Sequence, residues 1–201
     1  MSEINLGIIG GGQLGSMLSD AARKLNIKTI IYSDDIDAPA QNFCDEFVFG
    51  KYNDEKKIRE FVDKVDLITY EFENIPYKTL NDMNKLKTVL PKPSVNRLIQ
   101  HRLAEKDFIN KMNIRTTRYA SIEKKTEVDS LQDLLPGILK TTTLGYDGKG
   151  QHLINKPDDL DSINIDYSKG YILEKFVKLK KEISIMLTRF NDKQYEVYEP
   201  I

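Results

Sequence analysis

What the chain lacks narrows it first. Its 201 residues include one cysteine, Cys44, and two histidines, neither near Cys44 in the chain. A single thiol excludes an internal disulfide and fits a reducing compartment. Without a histidine nearby, Cys44 reads as a small packed side chain rather than a nucleophile. Charge of one sign is missing too: 30 basic and 31 acidic residues leave a formal net charge of -1, so no global field draws nucleic acid. No apolar run approaches the ~18 residues of a membrane span. An apolar strand begins by residue 4, which leaves no room for a basic, apolar leader. Repeats and low-complexity tracts are absent as well. These absences together imply a cytoplasmic protein with neither nucleic acid nor membrane as a partner.

What is present supports a folded core. Hydrophobic residues make up 40% and charged residues 30%, which at this length suits one sizeable core or two smaller ones. The chain opens with "LGIIGGGQLGSML". Gly10, Gly12 and Gly15 have the spacing of the dinucleotide fingerprint, and Asp34 and Asp35 follow at roughly the distance of a ribose-binding acid. Taken literally, this is a dinucleotide-dependent oxidoreductase. Apolar runs at 4–9, 28–32, 47–49, 66–70 and 88–90 read as strands. Between them, residues 13–25 carry Leu14, Leu18, Ala21, Ala22 and Leu25 at helical spacing. Residues 54–64 precede Val65 and, with it, set Ile58, Phe61, Val62 and Val65 on one face, and 76–86 begins with a proline. Strand–helix repeats with short connections indicate a Rossmann-like, doubly wound parallel sheet.

"PKPSV" ends that alternation. One long helix is expected after it, from about Ser94 as N-cap through Met112. The grammar then changes to short strands and glycine turns. "PGILKTTTLGYDGKGQHLI" reads as strand, glycine-rich loop, strand. "YILEKFV" and "KEISIMLTRFNDKQYEVYEPI" supply further strands, the last two joined at Asn191 and Asp192. The expected division is a Rossmann-like domain over 1–93, a small α+β subdomain with the glycine loop over 94–168, and the start of a larger subdomain over 169–201. No closing helix follows the last strand, so this second domain is expected to be incomplete.

The loop "LGYDGKGQ" is the most informative stretch. Gly145, Gly148 and Gly150 let backbone N–H groups approach an anion, Lys149 adds a cation, and Lys140 stands in the strand just upstream. A plain Asp-Gly hairpin is the blander alternative, but it needs neither three glycines nor the lysines. Glu174, near a strand end, can accept from a ribose hydroxyl, and so can Glu182, while the linker between them offers backbone groups to an adenine edge. Taken singly, each acid reads better as a solvated surface group.

"GIIGGGQLGSML", "ITYEFENIP", "HRLAEKDF", "GYDGKGQ" and "LEKFVKLKKEISI", in this order, resemble the 5-(carboxyamino)imidazole ribonucleotide synthetases, ATP-grasp carboxylases of purine biosynthesis. The resemblance implies a pre-ATP-grasp domain followed by an ATP-grasp domain. It implies a reaction in which ATP and bicarbonate give carboxyphosphate, and the carboxyl group passes to the amine of 5-aminoimidazole ribonucleotide. ADP and phosphate leave, Mg²⁺ assists, and the enzyme is a homodimer. It assigns Arg102 and Lys140 to the ATP phosphates, and Gly145, Tyr146, Asp147, Gly148, Lys149, Gly150 and Gln151 to a lid over them. Glu174, Lys175, Phe176 and Val177 would line the adenine pocket and Glu182 would hold the ribose. The imidazole ribonucleotide would meet Tyr146, Asp147, Glu71 and, near the glycine turn, Gln13. Metal-binding carboxylates are implied only beyond Ile201, so the chain is expected to be an N-terminal portion, inactive alone.

Two readings stay open here. Glu71 and Glu73 fall on the same side of an extended segment, so the choice of Glu71 rests on the resemblance. Glu73 and Asn74 read equally as a helix cap before Pro76. One departure stands out: the family usually carries two glycines before the tyrosine and an arginine nearer the strand, where this chain has Thr142, Thr143 and Leu144. The rivals are another ATP-grasp enzyme, such as formate-dependent glycinamide ribonucleotide transformylase or biotin carboxylase, the dinucleotide oxidoreductase, and a non-catalytic nucleotide-binding module. The oxidoreductase leaves Lys140, the glycine loop and the glutamates without a role.

Overall fold

The structure is a computed structural model that describes residues 4–145 and 150–201. The chain first lays down β1 (Asn5–Ile9), α1 (Gln13–Lys24), β2 (Lys28–Ser33), β3 (Glu46–Phe49), α2 (Glu55–Val62), β4 (Leu67–Tyr70) and α3 (Tyr77–Asn84). The four strands form a parallel sheet in the order β3-β2-β1-β4. Its strands are β-branched runs that bury side chains on both faces, as helix-covered parallel strands do. Ile9, Tyr32, Phe61, Ile68, Leu80 and Met83 are among its core residues. α2 buries the expected Ile58, Phe61 and Val62, with Val65 just beyond it. Asp54 caps α2 by accepting from the Lys57 N–H at 3.0 Å. The strand expected at 88–90 shrinks to one bridge between Ile68 and Val89, since Pro91 lacks the N–H that would carry the pairing on.

α1 turns the expected way along the chain but shows the sheet a different face. Leu14, Met17, Ala21 and Leu25 are exposed, and Gly15, Ser16, Ser19 and Ala22 are buried. The cause is proximity. A Cβ on Gly15 would stand 2.8 Å from the Gly10 carbonyl oxygen, so only small side chains fit between this helix and the sheet. Of the apolar stripe, Ala22 is buried and Leu18 is half-buried, packing near Ile8, Ile31 and Ala40.

The single long helix expected from Ser94 is two helices, α4 (Pro93–Ile99) and α5 (Arg102–Lys111). Pro93 takes the first helical position and Lys92 the cap, so Ser94 lies inside the first turn. At the break His101 is extended, and its Nδ1 accepts from the Ala104 N–H at 3.4 Å, capping α5 afresh. Two anchors account for the change of direction. Gln100 donates to the carbonyls of Glu73 (2.6 Å) and Ile75 (2.7 Å) beside the parallel sheet. The Arg102 N–H donates to Thr142 O at 2.8 Å beside the next one.

That second sheet is antiparallel, with β5 (Tyr119–Ile122), β6 (Gly137–Thr141), β7 (Gln151–Ile154) and β8 (Tyr171–Lys175) in the order β5-β8-β6-β7. β5 was not among the expected strands. One face packs Ile122, Leu139, Ile154, Tyr171 and Leu173 against Val128, Leu134 and Leu160 of flanking 3₁₀ turns. Alternation puts Tyr119, Ile138, Lys140, Gln151, Leu153, Ile172 and Glu174 on the other face. A hairpin of β9 (Leu187–Arg189) and β10 (Tyr195–Val197) follows, turning at Asn191 and Asp192 as expected. Every residue from 176 to 201 is exposed. No helix among the described residues is long and apolar enough to cross a membrane.

The face that α1 presents makes a direct prediction. Leu14→Gln and Leu25→Gln should each shift unfolding stability by less than about 0.5 kcal/mol. Ser19→Leu, which overfills the seam against the sheet, should cost roughly 1–3 kcal/mol. Urea midpoints of the three variants check this.

Candidate nucleotide-binding face

Two regions gather the residues that the sequence singled out. The first is the turn after β1. Gly10 has φ +102, a conformation that side chains rarely adopt, and a Cβ there would meet Glu71 Cγ at 2.5 Å. Glu71, just past β4, places Oε1 3.1 Å from the Gly12 N–H and accepts from it. A carboxylate thus occupies the start of α1, where exposed N–H groups were expected. Burial pushes the Glu71 carboxyl above its ordinary value; the Gly12 hydrogen bond opposes this and the nearby charge of Glu73 adds to it. Gly11, Gly12, Asp34, Tyr52 and Glu71 line a pocket of about 200 Å³ at the carboxyl ends of the parallel strands, and Gln13 is exposed at the helix start.

Glu73 goes elsewhere. With Asn74, Gln100, Arg102 and Leu144 it lines a pocket of about 290 Å³ between the two sheets. α3 is capped by Pro76 with no side-chain hydrogen bond, so Glu73 and Asn74 do not cap it. The structure therefore separates two acids that alternation could not.

The second region is the less covered face of the antiparallel sheet. Arg102 begins α5 and turns its guanidinium onto the base of the glycine loop. It donates to the carbonyls of Thr141 (2.7 Å), Leu144 (2.6 Å) and Gly145 (2.7 Å). Leu144 has φ +59, so a leucine holds a left-handed conformation at a position where the family resemblance calls for glycine. Tyr146, Asp147, Gly148 and Lys149 lie outside the described residues. Beyond them Gly150 leads into Gln151, which pairs with Lys140 across β6 and β7.

At the centre of this face lies Glu174, 7% exposed. Its Oε2 is 3.0 Å from the Lys140 ammonium and its Oε1 is 3.4 Å from that of Lys106. Lys140 reaches it as a diagonal neighbour on the adjacent strand, and Lys106 reaches down from α5. Lys106 escaped the sequence reading. The available signal was its place one turn after Arg102 in "HRLAEKDF", which sets both on one helix face. Lys175 points away, donating to the carbonyls of Asp133 and Leu135. Its own carbonyl accepts from Thr117 Oγ1 at 2.8 Å, and the Phe176 N–H donates to Pro136 O at 2.9 Å. Phe176 and Val177 are exposed, as is Glu182, whose segment forms backbone hydrogen bonds within itself, Ser184 with Ile201 and Met186 with Tyr198. Among the described residues no three His, Cys, Asp or Glu side chains gather closely enough to hold a metal.

Known proteins share this order of domains and this fold. Residues 1–100 match the ribonucleotide synthetase preATP-grasp domain and residues 107–201 the ATP-grasp domain. The N5-carboxyaminoimidazole ribonucleotide synthase of Staphylococcus aureus is 36% identical over 94% of this chain and 51% of its own length. That of Pseudomonas aeruginosa is 33% identical over 97% of this chain and 55% of its own. The crystal structure of the Staphylococcus aureus enzyme complexed with ADP superposes with a TM-score of 0.89 at 34% identity, covering 98% of this chain and 54% of that one. The chain thus carries a preATP-grasp domain followed by an ATP-grasp domain, and it is similar to N5-carboxyaminoimidazole ribonucleotide synthases. It spans about half the length of the curated relatives it matches.

Two outcomes follow from the geometry of this chain. Leu144→Gly should raise unfolding stability by up to about 1 kcal/mol, because the left-handed conformation costs an L-residue roughly that much and the exposed leucine loses little packing; urea unfolding measures it. A raised carboxyl pKa in the folded state means that the native protein holds its proton where the unfolded chain has lost it. Stability is therefore lost as pH rises from the ordinary glutamate value through that of Glu71. Glu71→Gln should remove this loss, so its stability relative to wild type improves as pH rises above the ordinary glutamate value, as read from unfolding at several pH values.

Proposed function

We propose that this chain serves the reaction for which its relatives are named. ATP and bicarbonate give carboxyphosphate, and the carboxyl group passes to the amine of 5-aminoimidazole ribonucleotide with release of ADP and phosphate. The observation that carries the proposal is the meeting of Lys140, Glu174 and Gln151 on a sheet face flanked by the glycine loop, in a chain that superposes on an ADP-bound relative.

In this reading Lys140 meets the phosphates and residues 145–151 close over them, with Tyr146 and Asp147 also facing the imidazole ribonucleotide. Glu174, Lys175, Phe176 and Val177 flank the adenine, and Glu182 takes the ribose once its exposed segment folds inward. Because the backbone groups between Lys175 and Phe176 are already bonded, the edge left to the base is at Val177. Arg102 serves the phosphates through the loop whose carbonyls it grips. Glu71 and Gln13 face the ribonucleotide at the glycine turn. Neutralising charge and fixing geometry are the work asked of these side chains. Mg²⁺ belongs to the proposal, although the described residues do not gather three carboxylate, histidine or cysteine side chains to hold it. The division at 1–93, 94–168 and 169–201, a homodimeric assembly and a cytoplasmic location complete the reading.

The glycine turn speaks against dinucleotide chemistry. A pyrophosphate seated there would meet the Glu71 carboxylate that now accepts from Gly12. Calorimetric titration tests the assignment. ADP should bind the wild-type chain, NADH should not, and Lys140→Ala should weaken ADP at least tenfold, about 1.4 kcal/mol, with an unchanged circular dichroism spectrum. Unaltered ADP affinity in Lys140→Ala, or NADH binding without ADP binding, would sink it.

A further inference from the structure

We propose that Lys106 is a positioning residue, a second counter-ion for Glu174 that lets Lys140 leave the carboxylate for a phosphate. The proposal rests on the nucleotide reading above for its purpose, though not for its geometry.

Glu174 has one ammonium on each carboxylate oxygen, Lys140 on Oε2 and Lys106 on Oε1. The three side chains are 22%, 16% and 10% exposed for Lys140, Lys106 and Glu174, so little water is available to any of them. Lys106 is built in. Its ammonium lies 5.5 Å from the centroid of the Tyr119 ring, and Tyr119 sits opposite Glu174 in register. The Tyr119 hydroxyl donates to Asp107 at 2.6 Å and accepts from Asn110 at 3.1 Å, both on α5. Lys140 is placed differently, opposite exposed Gln151 and next to Thr141, where the glycine loop departs.

A phosphate arriving at the loop competes with Glu174 for Lys140. A nearly buried carboxylate that loses its one cation is stranded, and stranding costs far more than the pair contributed. With Lys106 already on the other oxygen, Glu174 stays neutralised while Lys140 turns to the phosphate. Arg102 cannot take that part, since its guanidinium is spent on three loop carbonyls. Lys106 therefore sets nucleotide affinity without touching the nucleotide, and the Glu174 carboxylate holds two ammonium groups in place.

The ligand-free chain supplies the first test. Either lysine alone should suffice for Glu174. Lys106→Met and Lys140→Met should each lower the urea midpoint modestly, and together lower it by more than the sum, up to failure to fold. Adding Glu174→Gln to that pair should recover the loss. Additive single effects would overturn the proposal. ADP calorimetry supplies the second test. Lys106→Met should weaken ADP at least tenfold and Lys106→Arg less than threefold. In a Glu174→Gln background Lys106→Met should change affinity less than threefold. A tenfold loss that persists in that background means direct contact with nucleotide and contradicts the proposal, as does unchanged affinity in Lys106→Met. Should wild type take up no ADP, the nucleotide reading falls, and the unfolding series alone decides whether Lys106 is a counter-ion.

Discussion

A carboxylate almost out of water must be matched by charge, and the arrangement around Glu174 follows from that requirement. Glu174 lies on a central strand of the antiparallel sheet, whose opposite face is sealed by the second apolar core. Its own face receives α5, and α5 is aimed by the break after α4. A continuous helix through residues 100 and 101 would keep the direction of α4 and carry Lys106 away from the sheet. The fresh cap at His101 and the grip of Gln100 on the Glu73 and Ile75 carbonyls are thus conditions of the ion cluster, not details of a connection.

The same break ties the two sheets to each other. Asn96 and Gln100 bond the segment after β4, while Arg102, two residues on, bonds the base of the glycine loop. A shift of α5 would therefore be felt both at the acids after β4 and where a phosphate is proposed to sit. The glycine turn belongs to the first sheet and carries its own negative charge in Glu71. One end of the molecule offers cations beside a loop, and the other offers a carboxylate over a helix start. The two suit different guests, an anionic phosphate chain on one side and hydroxyl groups on the other.

Much of this architecture was legible in the sequence because it depends on local pattern. The β-branched runs of the parallel sheet, the helix from about residue 54, the strands flanking the glycine loop and the turn at Asn191 are all set by neighbouring residues. The failures share a different cause. The α1 stripe misled because close approach of helix to sheet, fixed by Gly15 against the Gly10 carbonyl, selects for small side chains over apolar ones. The break at His101 is imposed by tertiary bonds, which no local propensity announces, and β5 is a four-residue strand without strong alternation. Lys140 and Glu174 could be named singly, but their pairing depends on the β6–β8 register. Lys106 needed the position of α5 as well. Glu71 and Glu73, identical by alternation, part only where the chain bends after β4.

The central claim is that the nucleotide seats on the antiparallel sheet and not at the glycine fingerprint. Backbone amide NMR of the labelled chain during ADP titration tests it most directly. The account predicts that saturable shifts concentrate on β6, β8, Gly150 and Gln151, with the amides of Gly10, Gly11, Gly12 and Gln13 unmoved. Saturable shifts centred on those four amides, with β6 and β8 silent, would contradict it.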